Sequence, residues 1–156
     1  MNRATSFALV LAVLALSACS TAPSIDATSS VRGGAIELAV SQTCAAGSDL
    51  QCVSVNGEKI VLPAAFERAG VEDATVAEGE GQHAVDVTFS DDGAVVFHTL
   101  TGNAAGAGNS ARLVIKIGGE IQGAVVVMQA LEGDQVQIAL SPDDNAQGIV
   151  DLIRRG

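Results

Sequence analysis

The sequence predicts an α+β domain: a mainly antiparallel sheet with two or three helices packed on one face. Three observations carry the prediction. Apolar residues alternate with period two in short segments, as in Ile36, Leu38 and Val40 and again in Val85, Val87 and Phe89. Asn56-Gly57 and Gly118-Gly119 sit between such segments, where two-residue turns make antiparallel hairpins. Two later stretches, following Ser90 and Ser141, change to helical spacing behind Ser and Asp residues that suit a helix start.

Residues 36–40 read as a strand. Residues 52–55 and 59–62 flank Asn56-Gly57 and read as a hairpin. Pro63 fits the first position of a short helix, with Phe66 inward and Gly70 as its stop. Residues 71–78 have strand-like composition, Gly79-Glu80-Gly81 reads as a turn, and residues 83–89 form a clear strand. A helix opens at Ser90-Asp91-Asp92-Gly93, carries Val96, Phe97 and Leu100 as its apolar stripe, and ends in the Gly/Ala/Asn-rich residues 102–108. Residues 113–117 and 120–128 pair across Gly118-Gly119, and Glu132-Gly133-Asp134 turns into a strand over 136–140. In the last helix Ser141 is the expected cap, Pro142 the first position and Asp144 the third residue of a near capping box. Ala146, Ile149, Val150 and Ile153 share one face, and Arg154 and Arg155 suit the negative C-terminal end.

Ahead of this domain lies a leader. Arg3 and the terminal amine are positive, and residues 7–16 are an unbroken apolar run, too short to span a bilayer. The run ends Leu16-Ser17-Ala18-Cys19, which resembles the lipobox of bacterial lipoprotein signals. That resemblance implies a diacylglycerol thioether on Cys19, cleavage just before it, and often acylation of the new amine. Each buried methylene contributes roughly 0.8 kcal/mol, so two or three chains on one residue hold firmly. The chain then divides into a signal over 1–18, a Ser/Thr/Ala/Gly-rich tether over 19–34 and a globular domain over 35–156. Fully extended, the tether spans roughly 45–50 Å. The expected place is the outer face of a membrane in the cell envelope. This is the plasma membrane in a one-membrane cell, or the outer membrane of a two-membrane cell, where Ser20 fits the sorting rule that the resemblance brings.

Composition narrows the function. The full chain has 8 basic and 18 acidic residues, and losing Arg3 takes the mature net charge to about −11. Such a surface disfavours nucleic acid and anionic headgroups. With no Trp, no Tyr and only 4 Phe, an aromatic platform for sugars or bases is not expected. Cys44 and Cys52 are the remaining cysteines. An exported chain meets an oxidising compartment, so a structural disulfide between them is the expected reading. Metal binding is the rival, but no His stands beside them, and a redox motif more often has Cys-x-x-Cys spacing.

From about residue 85 to 156 the chain resembles the head subdomain of the first extracytoplasmic domain of SecD/SecDF proteins, accessory components of the Sec export machinery. The residues that carry this are Val87-Thr88-Phe89, Asp91-Asp92-Gly93-Ala94, Phe97, Leu100-Thr101, residues 112–117, Gly118-Gly119-Glu120, Gly133, Gln137-Ile138 and residues 146–156. The chain departs from the family pattern at two points. Ala124 is followed by Val125 where the family has Pro, and no later apolar stretch has the length of the membrane helices that carry the family's proton pathway. The resemblance therefore implies only the part that contacts emerging polypeptide. Secretory polypeptides or Sec translocon components are the partners it suggests.

The candidate chemistry is sparse. His83 and His98 have no Cys or His at metal-ligand spacing. Asp91-Asp92 and Asp143-Asp144 lie at helix starts, where capping accounts for them. Gly102, Gly106 and Gly108 lack the Lys-Ser/Thr of a phosphate loop. Lys59, Arg112 and Lys116 are scattered along the chain. The expectation is a binding module with no catalytic residues, no metal and no cofactor. It would assist exported proteins, or reuse its fold to hold another envelope protein or a small ligand.

Overall fold

A computed structural model describes residues 33–47, 51–79 and 83–156. Cys19, the leader and the tether up to residue 32 lie outside the described residues, as do Glu80 and Gly81 of the expected turn. The described part holds β1 (Ala35–Gln42), β2 (Cys52–Val55), β3 (Glu58–Val61), β4 (Glu67–Val76), β5 (Ala84–Phe89), α1 (Asp91–Gly106), β6 (Ala111–Ile117), β7 (Glu120–Val125), β8 (Gln135–Ala139) and α2 (Ala146–Arg155). Six strands form one sheet in the order β7-β6-β1-β4-β5-β8, and β2 and β3 form a separate hairpin. Every neighbouring pair is antiparallel. The α+β class and the mainly antiparallel sheet are as predicted, with two helices among the described residues.

Alternation along β6 sorts the molecule into two packing zones. Leu113, Ile115 and Ile117 join Ile36 and Leu38 of β1, Val85, Val87 and Phe89 of β5, Phe97 and Leu100 of α1, and Ile149 and Ile153 of α2 in the main core. Val114 points the other way and packs with Val55 and Ile60 of the hairpin, with Phe66 and Ile121 beside them. Burying Val55 and Ile60 contributes about 3–6 kcal/mol to holding the hairpin on the sheet. Polar ties add direction. Arg112 of β6 donates to both carboxylate oxygens of Glu58, from Nε at 2.7 Å and Nη2 at 2.6 Å. Lys116 sits 3.0 Å from Glu37 and 4.3 Å above the Phe66 ring.

The chain enters this fold through close contacts. An added Cβ would fall 1.6 Å from the Val71 carbonyl oxygen at Gly33 and 1.4 Å from the Ile153 carbonyl oxygen at Gly34. The Gly34 carbonyl also accepts from Val71 N at 2.9 Å. Both glycines, grouped with the tether by composition, thus lie against β4 and α2.

Several boundaries differ from expectation. Pro63 does not open a helix: residues 62–66 run into β4, and Gly70 pairs with Ala35 instead of ending a helix. Seven residues are too few to nucleate a helix without packing, and pairing with β1 buries Ala69 and Val71. A register shift between Val71 and Asp73 makes the apolar spacing 69, 71, 74, 76, which conceals the strand's period. α1 continues through Gly102 to Gly106, because its Thr101 and Ala104 side chains are buried against the rest of the fold. β7 ends at Val125, not at Met128. α2 is capped by Asn145, whose side chain accepts from Gly148 N at 3.2 Å, and not by Ser141. Asp144 instead accepts from Ser141 N at 3.0 Å, so Ser141 to Asp144 close a turn ahead of the helix.

Candidate functional site

Among the described strands β7 and β8 are the sheet's edges, and a groove of about 530 Å³ has walls from both. Gly123 and Val125 of β7 and Val136 to Ala139 of β8 supply the sides. Leu113 and Ile115 of β6 and Phe97 of α1 complete the apolar lining. The chain from Val126 to Leu131 leaves β7 and runs along the opening. Asn56, at the tip of the β2–β3 hairpin, stands at one end, and its Oδ1 accepts from Ser141 Oγ at 3.5 Å.

Local sequence explains the shape. Asn56 and Gly57 have φ of 50° and 82°, the left-handed pair that a two-residue hairpin needs, and this projects the tip. Phe97 is held by stacking on Phe89, with ring centroids 4.8 Å apart. β7 ends at Val125, and the three residues that follow it, Val126, Val127 and Met128, are apolar as well. Val127 turns to the core while Val126 and Met128 stay in solvent, Met128 at 82 % exposure. Thr101 anchors the far side of this segment: buried in α1, it accepts from Leu131 N at 3.1 Å.

Among the described residues no charged side chain lines the groove; its polar lining comes from Asn56, Gln129 and Gln137. The arrangement can take up apolar surface and offers main-chain hydrogen bonds along two strand edges. The other singled-out residues lie elsewhere. Cys44 and Cys52 are at disulfide distance, with sulfurs 2.00 Å apart and Cα atoms 6.3 Å apart, at the base of the hairpin. Asp91 and Asp92 occupy the first turn of α1, whose cap Ser90 accepts from Gly93 N at 3.2 Å. His98 lines a shallow surface depression with Glu132 and Asp134, and His83 is exposed ahead of β5. Among the described residues no group of three His, Cys, Asp or Glu side chains is placed to hold a metal ion. No helix among them is long and apolar enough to cross a membrane.

Arg112, scattered by sequence, has a definite role in docking the hairpin. Glu58 feels it: hydrogen bonding from Arg112, aided by its charge and opposed by partial desolvation, holds the Glu58 carboxyl below its ordinary value of 4.5. Sequence reasoning misses the groove itself. Its one sequence signal is the apolar run of residues 124–128, too continuous for a strand with one wet face.

Fold and groove together define a class: an antiparallel α+β domain with an apolar groove between the edges of its sheet. No family model matches the chain, and neither a curated protein nor a solved structure matches it.

Proposed function

We propose that this protein is a lipid-anchored, extracytoplasmic binding module that takes apolar segments of exported polypeptides into the groove between β7 and β8. The observation that carries the reading is the groove: an uncharged apolar channel with two strand edges in its walls and exposed Val126 and Met128 at its mouth. Extended peptides add to such edges through main-chain hydrogen bonds, with side chains entering apolar pockets. Anchoring at Cys19 and the likeness of residues 85–156 to the SecD/SecDF head support the same reading. In this reading both helices cover one sheet face, supported by their shared core with Ile36 and Leu38, and the chain acts by binding without a catalytic step.

The size of the groove favours a second reading. About 530 Å³ lies within the range of small-molecule sites, and Asn56, Gln129 and Gln137 could orient a small apolar ligand or one envelope partner. The deciding experiment replaces Met128 with a photocrosslinking residue in intact cells. Adducts with secretory chains or Sec components are expected. A single stoichiometric partner unrelated to export would overturn the first reading in favour of the second.

A further inference from the structure

The charges around the groove are distributed unevenly. Glu132 follows Leu131 of the groove wall and lines an adjoining depression with Gln129 and Leu131. Asp134 stands just ahead of β8 and shares a second depression with Glu132. Asp86 accepts from Gln137 Nε2 at 2.9 Å beside the outer strand. Among the described residues no Lys or Arg lines the groove or these neighbouring depressions.

Four basic side chains are engaged elsewhere, and Lys59 lies exposed on β3. Arg112 and Lys116 hold Glu58 and Glu37. By strand alternation they lie on the sheet face opposite Leu113 and Ile115, which line the groove. Arg154 donates to the Ala74 carbonyl at 2.8 Å and lies 3.6 Å from Asp73, and Arg68 donates to the Gly156 carbonyl. Among the described residues, then, the charged side chains that flank the apolar channel at its β8 end are the carboxylates of Glu132 and Asp134, with His98 beside them, an imidazole kept neutral at alkaline pH.

We infer that the groove selects, among apolar polypeptide segments, those flanked by Lys or Arg. This rests on the reading that the groove takes extended apolar polypeptide, and it names the class of segment. An apolar run enters between the strand edges while its basic flank meets Glu132 and Asp134. A segment with an acidic flank meets like charge there and is disfavoured.

The test uses the mature, lipidated protein in phosphatidylcholine nanodiscs, with empty discs as the blank, at pH 8. Three peptides share one six-residue apolar run and carry two Lys, two Gln or two Glu at one end. Binding is followed by isothermal titration. In 20 mM salt the Lys peptide is expected to bind about fivefold more tightly than the Gln peptide, and the Glu peptide more weakly than either. The spread should collapse in 0.5 M salt, where the Debye length is on the order of 4 Å.

Glu132→Lys with Asp134→Lys should invert the order. Glu67→Lys with Glu72→Lys, the same change in net charge on β4, should preserve it. Equal affinities for the three peptides, or an equal effect from the β4 pair, would overturn this inference alone. No binding of any peptide would overturn the proposed function as well, and binding of palmitate without any peptide would do the same in favour of a lipid ligand.

Discussion

Gly93 stands where the first turn of α1 crosses β4. An alanine there would ordinarily favour a helix by about 1 kcal/mol. Here its Cβ would lie 2.0 Å from the Gly70 carbonyl oxygen, a backbone atom that already accepts from Ser90 N. The clash wins, since overpacking costs about 1–3 kcal/mol even where neighbours can shift. Gly93→Ala is expected to lower the urea midpoint, and an unchanged or raised midpoint would contradict the packing. Glu58 gives a pH-dependent case. Its folded value is lowered, so the Arg112 pair stabilises above the unfolded value near 4.5 and is lost as pH falls through the folded value. The gap in urea midpoint between the protein and Glu58→Gln should be constant from pH 6 to 8 and close toward pH 3. Glu58 is 38 % exposed at its side chain, so the gap will be small and salt-sensitive. The pairing of Cys44 with Cys52 is legible from their close spacing in the sequence. The pairing of Arg112 with Glu58 is not, because it joins side chains 54 positions apart through tertiary docking.

The β2–β3 hairpin is the element most dependent on its fastenings. It is too short to be stable alone, and it is held by the small cluster under Val114, by Arg112 and by the cysteine pair at its base. Closing a loop of this length contributes about 2–3 kcal/mol in the chain-entropy model. Cys44→Ser with Cys52→Ser should lower stability by about that amount, measured by denaturant unfolding, with hydrogen exchange rising first in residues 52–61. A variant as stable as the parent would show that the pair does not restrain the fold. The hairpin was legible because Asn56-Gly57 states its own turn. β5 and the apolar stripe of α2 were legible because their periods are unbroken. β4 was half hidden, since its bulge shifts the apolar positions by one residue midway. The start of α2 is ambiguous in the sequence because Ser141, Asp144 and Asn145 all carry capping side chains, and Asp144 uses its own on a turn.

The sheet as a whole puts two strands that follow one another in the chain, β7 and β8, at its opposite edges, and the groove lies between them. Sequence patterning reports each element's buried face but not which edges come to share a cavity, so the class of the fold was readable while the site was not. Because Val126 and Met128 are exposed at 47 % and 82 %, polar replacement removes little core packing. Val126→Ser with Met128→Ser is expected to change unfolding free energy by less than about 1 kcal/mol while abolishing crosslinking from Gln129. A large loss of stability would make this segment structural instead.

The entry at Gly33 and Gly34 has a mechanical consequence. Any pull on the chain ahead of Gly33 is delivered to the start of β1, which is bonded to β4 on one side and to β6 on the other. A force along that strand loads both ladders in shear, many hydrogen bonds at once, whereas a force on β7 or β8 can peel an outer strand one bond at a time. The domain is thus stiffest at the end where it would be tethered and most yielding at the edges where it would take hold of a partner.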